Sequence, residues 1–279
     1  MRLLFSLLLP LFGTSKELHK LPRIHCPRLK LQGNSVLDLG TARSPLSHYI
    51  SNVLRMKTGH LIRVFNSEEG EFLCRLLSVR RSEGVQAEVV ERVRLVEEEI
   101  RLDFTLYFSP IKTKRMKLLV EKTTEIGVDV LQPVITQNTN EVLTTSDMRS
   151  LEATIGEAAE QSERLSIPRL MEPISFPAFV ERASGLAGAE TALVCLERSC
   201  STPLLKALSE LHQRRPRPRV GVFVGPEGGF TSEEISSLLE KGGDNLRAVS
   251  LGSNVLRAET AALYALSCWS AICSANCEQ

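Results

Sequence analysis

The stretch RVGVFVGPEGGFTSEEI, residues 219–235, joins an apolar run to a glycine-rich turn and then to the start of a helix. Residues 219–224 predict a buried strand, and Thr231 with Glu234 match the T-x-x-E capping box that begins a helix. Glycine permits positive φ angles and lets a ligand touch the backbone. By itself, the turn is either structural or part of a ligand site.

Phosphate is one ligand that such a loop suggests, because backbone N–H groups at a helix start attract anions. The sequence, however, contains no G-K-[ST] and no G-x-G-x-x-G, the motifs of nucleotide-phosphate sites. A nucleotide-phosphate enzyme therefore ranks below the other interpretations.

The chain around this loop alternates between strand and helix patterns. Gly127 is expected to end the first helix. Strands are predicted at 103–110, 128–136, 191–197, 219–225 and 247–252, and helices at 115–127, 148–165, 202–213, 231–243 and 258–272. Such alternation predicts an α/β domain in which helices cover a parallel sheet and ligands bind at the carboxyl ends of the strands.

A second loop, like the first, follows a predicted strand and leads into a predicted helix. LGSNVLRAETAALYAL, residues 251–266, places Arg257, Glu259 and Thr260 around the start of a helix. A positive side chain just ahead of a helix N-terminus is electrostatically unfavourable, and such violations are expected at functional sites more than in scaffolds. A third strand, TALVCLE, would bring Leu196 to the same edge of the sheet.

The part of the chain before residue 99 has a different pattern. Residues 23–98 contain short alternating strands at 60–66, 70–79 and 84–93, which predict a small antiparallel barrel. Before them, SPLSHYISNVLRMKTG has helical spacing that ends at Gly59. VEEEI, residues 96–100, is the predicted polar hinge between domains at 23–98 and 99–279.

Residues 1–22 are expected to be a leader. The apolar run at 3–12 is far shorter than the roughly 20 residues that span a bilayer, so no transmembrane helix is predicted. The run is similar to a secretory signal, whereas the excess of basic residues over the single acid Glu17 is typical of an organellar transit peptide. Composition alone does not decide between the two.

Charge and cysteine content limit the partners. With 34 Lys and Arg against 33 Asp and Glu, the net charge of +1 gives no overall basic field, so an RNA partner must be held by local patches. The seven cysteines do not have the spacing of a zinc site. We expect no metal, no membrane association and a reducing compartment.

The motifs taken together are similar to those of one family. GPEGGFTSEEI followed by LGSNVLRAETAAL resembles the RsmE family of ribosomal RNA uridine-N3 methyltransferases, members of the SPOUT class. KRMKLLVEKTTEIGVDVLQPV and EAAEQSERLSIPRL resemble further segments of that family. The resemblance covers nearly all of the chain after the leader.

The resemblance implies an α/β fold: a SPOUT trefoil-knotted parallel-sheet methyltransferase domain preceded by a small PUA-like RNA-binding barrel. It implies a homodimer that binds S-adenosyl-L-methionine among three strand-end loops and acts on small-subunit (16S-type) ribosomal RNA within an assembled subunit. The expected cofactor-binding residues are Leu196, Gly225, Glu227, Gly228, Leu251, Gly252, Val255, Leu256 and Thr260.

The implied reaction is methyl transfer to uridine N3, with Arg257 and Glu259 as the catalytic candidates. Arg257 stays protonated, so it can stabilise negative charge on the base but cannot accept a proton. Glu259 or Glu227 would accept the N3 proton. The expected RNA contacts are Arg55, Lys112, Lys114 and Arg115.

Two residues depart from the family pattern. Asn138 stands where the family usually has Arg, and Glu163 stands where it usually has Gly. If the family's Arg contacts RNA phosphate, that contact is missing here. The alternative function is a catalytically inactive RNA-binding or ribosome-assembly protein on the same scaffold.

The sequence also bears on the oligomeric state and on the location in the cell. The final helix is apolar around much of its circumference, at Leu263, Leu266, Trp269 and Ile272, which predicts a second partner and so a homodimer. Bacterial-type ribosomes of organelles would supply the implied substrate. We therefore predict import into a mitochondrion or plastid, with the leader removed between about residues 12 and 28; the alternative is a cytoplasmic protein.

Overall fold

The computed structural model describes residues 18–27, 29–30, 36–41, 43–80, 83–185, 190–196, 201–214, 218–241 and 245–275. The chain divides into two compact units, residues 1–99 and 100–279. The predicted leader lies outside the described residues up to residue 17. Within the described ranges, no helix is long and apolar enough to cross a membrane.

The first unit is built on a five-stranded sheet. Its strands are β1 (Arg23–His25), β2 (Val36–Asp38), β3 (Leu61–Asn66), β4 (Gly70–Arg80) and β5 (Gly84–Arg94). They lie in the order β1-β3-β4-β5-β2. All neighbours are antiparallel except β1 and β3, which are parallel. The antiparallel prediction is confirmed for the three predicted strands, β3, β4 and β5, whereas β1 and β2 were not predicted.

The helix of the first unit is shorter than predicted. Helix α1 (Pro45–His48) begins at Ser44, whose Oγ accepts a hydrogen bond from the Ser47 N–H, and it continues as a π-helix over Tyr49–Val53. Arg55 adopts a φ of 53°, in the left-handed region, which ends the helical path before Gly59. The predicted stop at Gly59 is therefore wrong.

The second unit is built on an eight-stranded sheet. Its strands are β6 (Phe104–Phe108), β7 (Val130–Ile135), β8 (Arg169–Leu170), β9 (Ile174–Ser175), β10 (Glu190–Cys195), β11 (Thr202–Pro203), β12 (Arg219–Val224) and β13 (Leu246–Ser250). They lie in the order β11-β13-β10-β12-β6-β7-β8, and β9 also pairs with β7. All of these pairs are parallel, which confirms the predicted parallel sheet.

Helices connect these strands. They are α2 (Thr113–Ile126), α3 (Thr145–Gln161), α4 (Phe176–Gly185), α5 (Leu204–Arg214), α6 (Ser232–Lys241) and α7 (Ala258–Ala275). Gly127 ends α2 as predicted, with a φ of 122° that disfavours other residues. The prediction that α3 reaches residue 165 is wrong, because the chain leaves the helix at Ser162 and Glu163 has a φ of 57°.

Helices cover both faces of the parallel sheet. Alternate residues of β12 point to opposite faces, so Val222 lies in one core and Phe223 in the other. Helices α2, α3, α5 and α7 contribute side chains to the first core, whereas α4 and α6 contribute to the second. The sequence patterns did not predict α4, β8 or β9, and they assigned the residues of β11 to the following helix. The three strands have only two residues each, too few to show a periodicity.

Helix α7 is partly buried by its own chain. Leu266 and Trp269 are fully buried, and the indole N–H of Trp269 donates a hydrogen bond of 2.8 Å to the carbonyl of Leu102. Helices α2 and α5 both pack against α7. These helices and the sheet cover Leu266 and Trp269, whereas Leu263 and Ile272 are only half-buried. The homodimer stays a prediction.

Candidate functional site

The candidate site is a cavity of about 710 Å³ at the carboxyl ends of β10, β12 and β13. These three strands are neighbours in the sheet, so the loops that follow them meet at one edge. The cavity is lined by Cys195, Leu196, Val224, Gly225, Pro226, Glu227, Gly229, Phe230, Ile235, Leu251, Gly252, Ser253, Asn254, Val255, Leu256, Arg257, Ala258 and Ala261. Its position agrees with the rule for ligands of parallel sheets.

The lining combines apolar side chains with exposed backbone. Leu196, Phe230 and Leu256 contribute apolar surface, while Gly252 contributes backbone without a side chain. Gly252 has a φ of 119°, and a Cβ atom there would meet no atom within 4 Å. Apolar walls with backbone N–H and C=O groups at their edges suit a flat, uncharged ring that needs both stacking and hydrogen bonds.

Most of the expected cofactor residues lie in this lining. All of them do except Gly228 and Thr260. Gly228 instead lies against Asn138, so close that a Cβ atom would come within 3.0 Å of the Asn138 Cβ. Thr260 is an exposed residue in the first turn of α7. Their contact with the cofactor stays a prediction.

The glycine loop is fixed at its helix end by a capping box. The Thr231 Oγ1 accepts a hydrogen bond of 3.2 Å from the Glu234 N–H, and the Glu234 carboxylate accepts one of 3.0 Å from the Thr231 N–H. The other Glu234 oxygen accepts a bond of 2.8 Å from the Gln137 N–H in the loop after β7. The predicted capping box is confirmed, and its buried carboxylate also connects two loops.

Asn138 holds the same loop from the side. Its Nδ2 donates hydrogen bonds of 3.1 Å to the Gly228 carbonyl and 3.0 Å to the Gly229 carbonyl. Gly229 itself has a φ of 66°, which the turn requires. The residue that departs from the family pattern therefore supports the glycine loop.

Three charged residues form a cluster beside the cavity. The Arg115 Nη1 lies 3.2 Å from the Glu227 Oε1 and 3.8 Å from the Glu259 Oε2. The Glu227 side chain is 44% exposed, whereas that of Glu259 is 10% exposed. Glu259 Oε2 is a buried oxygen that accepts no hydrogen bond from the described residues. Arg257 lines the cavity next to this cluster, but Glu259 does not.

The expected RNA contacts have different surroundings. Lys112 and Lys114 are exposed at the start of α2. Arg115 is partly buried and lies within ion-pair distance of two carboxylates. Arg55 is exposed in the first unit, at the left-handed position that ends the helical segment.

The cavity contains a thiol but no metal site among the described side chains. Burial raises the pKa of Cys195 to about 12, so the thiol is protonated at neutral pH. No group of three or more His, Cys, Asp and Glu residues in the described ranges could hold a metal ion.

Sequence reasoning missed several lining residues, chiefly Phe230, Ile235 and Ala261. The helical spacing of Ile235 marks a buried face without saying what lies over it. Gly225 packs closely on the Phe230 ring, since a Cβ atom at Gly225 would lie 2.9 Å from that ring. This contact was also not predictable from the sequence.

Two family models match the chain. Residues 98–270 match the RNA methyltransferase domain, and residues 45–90 match the RNA methyltransferase PUA domain. The chain is 33% identical over 220 residues to the ribosomal RNA small subunit methyltransferase E of Synechocystis, covering 78% of this chain and 68% of that protein. It is 30% identical over 237 residues to the protein of the same name from Rickettsia conorii, covering 85% and 90%.

Solved structures give the same result. The ribosomal RNA small subunit methyltransferase E of Neisseria gonorrhoeae, bound to S-adenosyl methionine, is 26% identical with a TM-score of 0.73, over 88% of this chain and 95% of that chain. A Legionella pneumophila protein in complex with the cofactor SAM is 28% identical with a TM-score of 0.74, over 90% and 98%. With both domains matched and its α/β fold of the SPOUT class, the chain belongs to the ribosomal RNA small subunit methyltransferase E family.

Proposed function

We propose that this protein transfers the methyl group of S-adenosylmethionine to N3 of a uridine in small-subunit ribosomal RNA. The observation that carries the proposal is the cavity at the ends of β10, β12 and β13, in a chain of this methyltransferase family. Two related structures hold the same cofactor. The enzyme class and the cofactor follow from the family, while the uridine atom and the residue roles are proposed here.

The residues of the cavity fit this cofactor. Leu196 and Leu256 would pack on the adenine ring, and the backbone of Gly225, Leu251 and Gly252 would bond to its edge. The carboxylate of Glu227 suits a ligand that carries positive charge. When bound, S-adenosylmethionine supplies an electrophilic methyl group on a positively charged sulfur.

The acceptor nitrogen requires help from the chain. N3 of uridine carries a proton and is a poor nucleophile until that proton is lost, when negative charge spreads onto O2 and O4. Arg257 lines the cavity and keeps its charge, so its guanidinium would stabilise the negative charge that develops on the base.

Glu259 is the proposed proton acceptor. Its Oε2 accepts no hydrogen bond from the described residues, but it is buried and outside the cavity lining, so RNA binding must expose it before it can accept the N3 proton. Glu227 is the alternative, because it lines the cavity and is more exposed. Replacing each residue by Gln separates the two: the base is the one whose loss slows transfer when both substrates are saturating.

The proposal includes RNA contacts, a homodimer and a trefoil knot. Lys112 and Lys114 at the start of α2, and Arg55 in the first unit, would contact phosphates and set the position of the RNA. The substrate within an assembled subunit, the homodimer and the trefoil knot remain predictions that rest on the resemblance to the SPOUT class.

The test is methyl transfer from labelled S-adenosylmethionine to small-subunit ribosomal RNA from cells that lack the gene. We expect 3-methyluridine in the nucleoside digest. Parallel reactions with bare RNA and with assembled subunits identify the physical substrate. Binding of RNA without any binding of S-adenosylmethionine in a calorimeter would contradict the proposal and support the inactive RNA-binding alternative.

A further inference from the structure

Arg115 connects two loops that approach the site from different parts of the chain. It lies on α2 and forms a hydrogen bond of 3.2 Å with Glu227, a residue 112 positions away on the glycine loop. The same nitrogen lies 3.8 Å from the buried Glu259 carboxylate at the start of α7. One guanidinium therefore fixes the distance between the cofactor loop and the helix that carries the proposed base.

The neighbouring cations of α2 do not have this role. Lys112 and Lys114 are exposed and form no ion pair with the described residues. Arg115 is the one cation within ion-pair distance of Glu259 in the described part of the chain. A buried carboxylate is costly unless a positive charge or hydrogen bonds compensate it, so Glu259 depends on Arg115 for its place.

We propose that Arg115 is a positioning residue for methyl transfer, which holds the Glu227 and Glu259 carboxylates in register, rather than a contact for RNA phosphate. The inference rests on the proposed function, because it concerns the residues that would handle the cofactor and the proton. It differs from the assignment of Arg115 to RNA that its basic neighbours suggested.

The planar guanidinium of Arg115 suits it to hold two carboxylates. A guanidinium presents several N–H groups in a fixed geometry and can serve two carboxylates at once, whereas Lys has one compact ammonium on a flexible stem. Lys would therefore restore the charge but hold the two loops less firmly. A Met side chain would keep most of the apolar stem and remove the charge.

The experiment measures single-turnover methyl transfer with saturating S-adenosylmethionine and ribosomal RNA. Arg115→Met is expected to reduce the rate about 100-fold, because small displacements of reacting groups are costly. Arg115→Lys is expected to recover part of that loss. Lys122→Met is the matched control, since Lys122 lies on the same helix and pairs only with Glu121 and Glu125 among the described residues, each at 2.8 Å.

RNA affinity at several salt concentrations provides the second readout. Arg115→Met should leave both the affinity and its salt dependence near those of the wild type, whereas Lys114→Met should reduce the salt slope by about 1. A wild-type rate for Arg115→Met, a reduced salt slope for that variant, or no recovery with Lys would overturn the inference. If the Met variant does not fold, Arg115→Gln takes its place under the same criteria.

The two proposals fail in different ways. If the wild-type protein transfers no methyl group to the RNA, the proposed function is refuted, and the inference about Arg115 falls with it. If the wild type is active and Arg115→Met acts only on RNA affinity, the function stands and the inference alone is refuted.

Discussion

At the scale of single residues, substitution of Arg257 should affect catalysis without affecting folding. Its side chain is exposed and lines the cavity, so it contributes little to packing. We expect Arg257→Ala to slow methyl transfer by about 100- to 1,000-fold, as for the loss of one stabiliser of developing charge. The unfolding midpoint should not change. Arg149→Ala, at an exposed position on α3, is the control and should keep its activity; a variant at position 257 with most of its turnover would refute the role.

The backbone conformation of Glu163 is unfavourable for a residue with a side chain, which the sequence alone does not show. Its φ of 57° lies in the left-handed region, which disfavours residues other than glycine. We expect Glu163→Gly to stabilise the second unit by about 1 kcal/mol. Urea unfolding followed by the fluorescence of Trp269, the single tryptophan and a fully buried residue, measures this free energy.

Glu157→Gly is the matched control for that measurement. Glu157 is an exposed residue within α3, where glycine should cost about 1 kcal/mol of stability. Opposite signs for the two substitutions are expected. A loss of stability at both positions would show that the side-chain interactions of Glu163 outweigh its backbone strain.

At the scale of elements, the loop after β7 supports the glycine loop. The Asn138 amide donates to two carbonyls there, and its loss would free the turn that lines the cavity. We expect Asn138→Ala to weaken S-adenosylmethionine binding by about tenfold, which corresponds to one or two hydrogen bonds. Calorimetric titration measures the effect. Asn140→Ala, exposed in the same loop, should bind like the wild type; equal losses in both variants would mean that Asn138 has no specific role.

At the scale of the whole molecule, the oligomeric state is the first prediction. We expect light scattering at micromolar concentration to give twice the 30.9 kDa of one chain. Helices α2 and α5 cover Leu266 and Trp269 of α7, whereas Leu263 and Ile272 are only half-buried. The prediction rests on these half-buried apolar side chains and on the resemblance to the SPOUT class. A single-chain mass would contradict it.

Import into an organelle is the second prediction at this scale. Up to residue 37 the sequence has several basic residues and the single acid Glu17, a composition typical of transit peptides. We expect residues 1–35 fused to a fluorescent protein to label mitochondria or, second, plastids. Labelling of the endoplasmic reticulum would instead indicate a secretory signal, and a diffuse signal would indicate that the segment directs no import.

Local patterns in the sequence were enough to predict much of the second unit. Its main strands and helices show clear periodicity, and both the Gly127 helix stop and the Thr231–Glu234 capping box appear as predicted. These features involve residues within a few positions of one another, so the sequence specifies them directly. The strand-end loops could be assigned to one edge because parallel strands share a direction.

Only the tertiary structure decided how those loops are connected. The Arg115–Glu227 bond joins residues 112 positions apart, and the Asn138–Gly229 bond joins residues 91 apart. Nothing in a local pattern distinguishes an Arg that will face RNA from one that will meet two carboxylates. Such pairings depend on which helix ends and loops the sheet order brings together, and that order is set by packing over the whole domain rather than by any one segment.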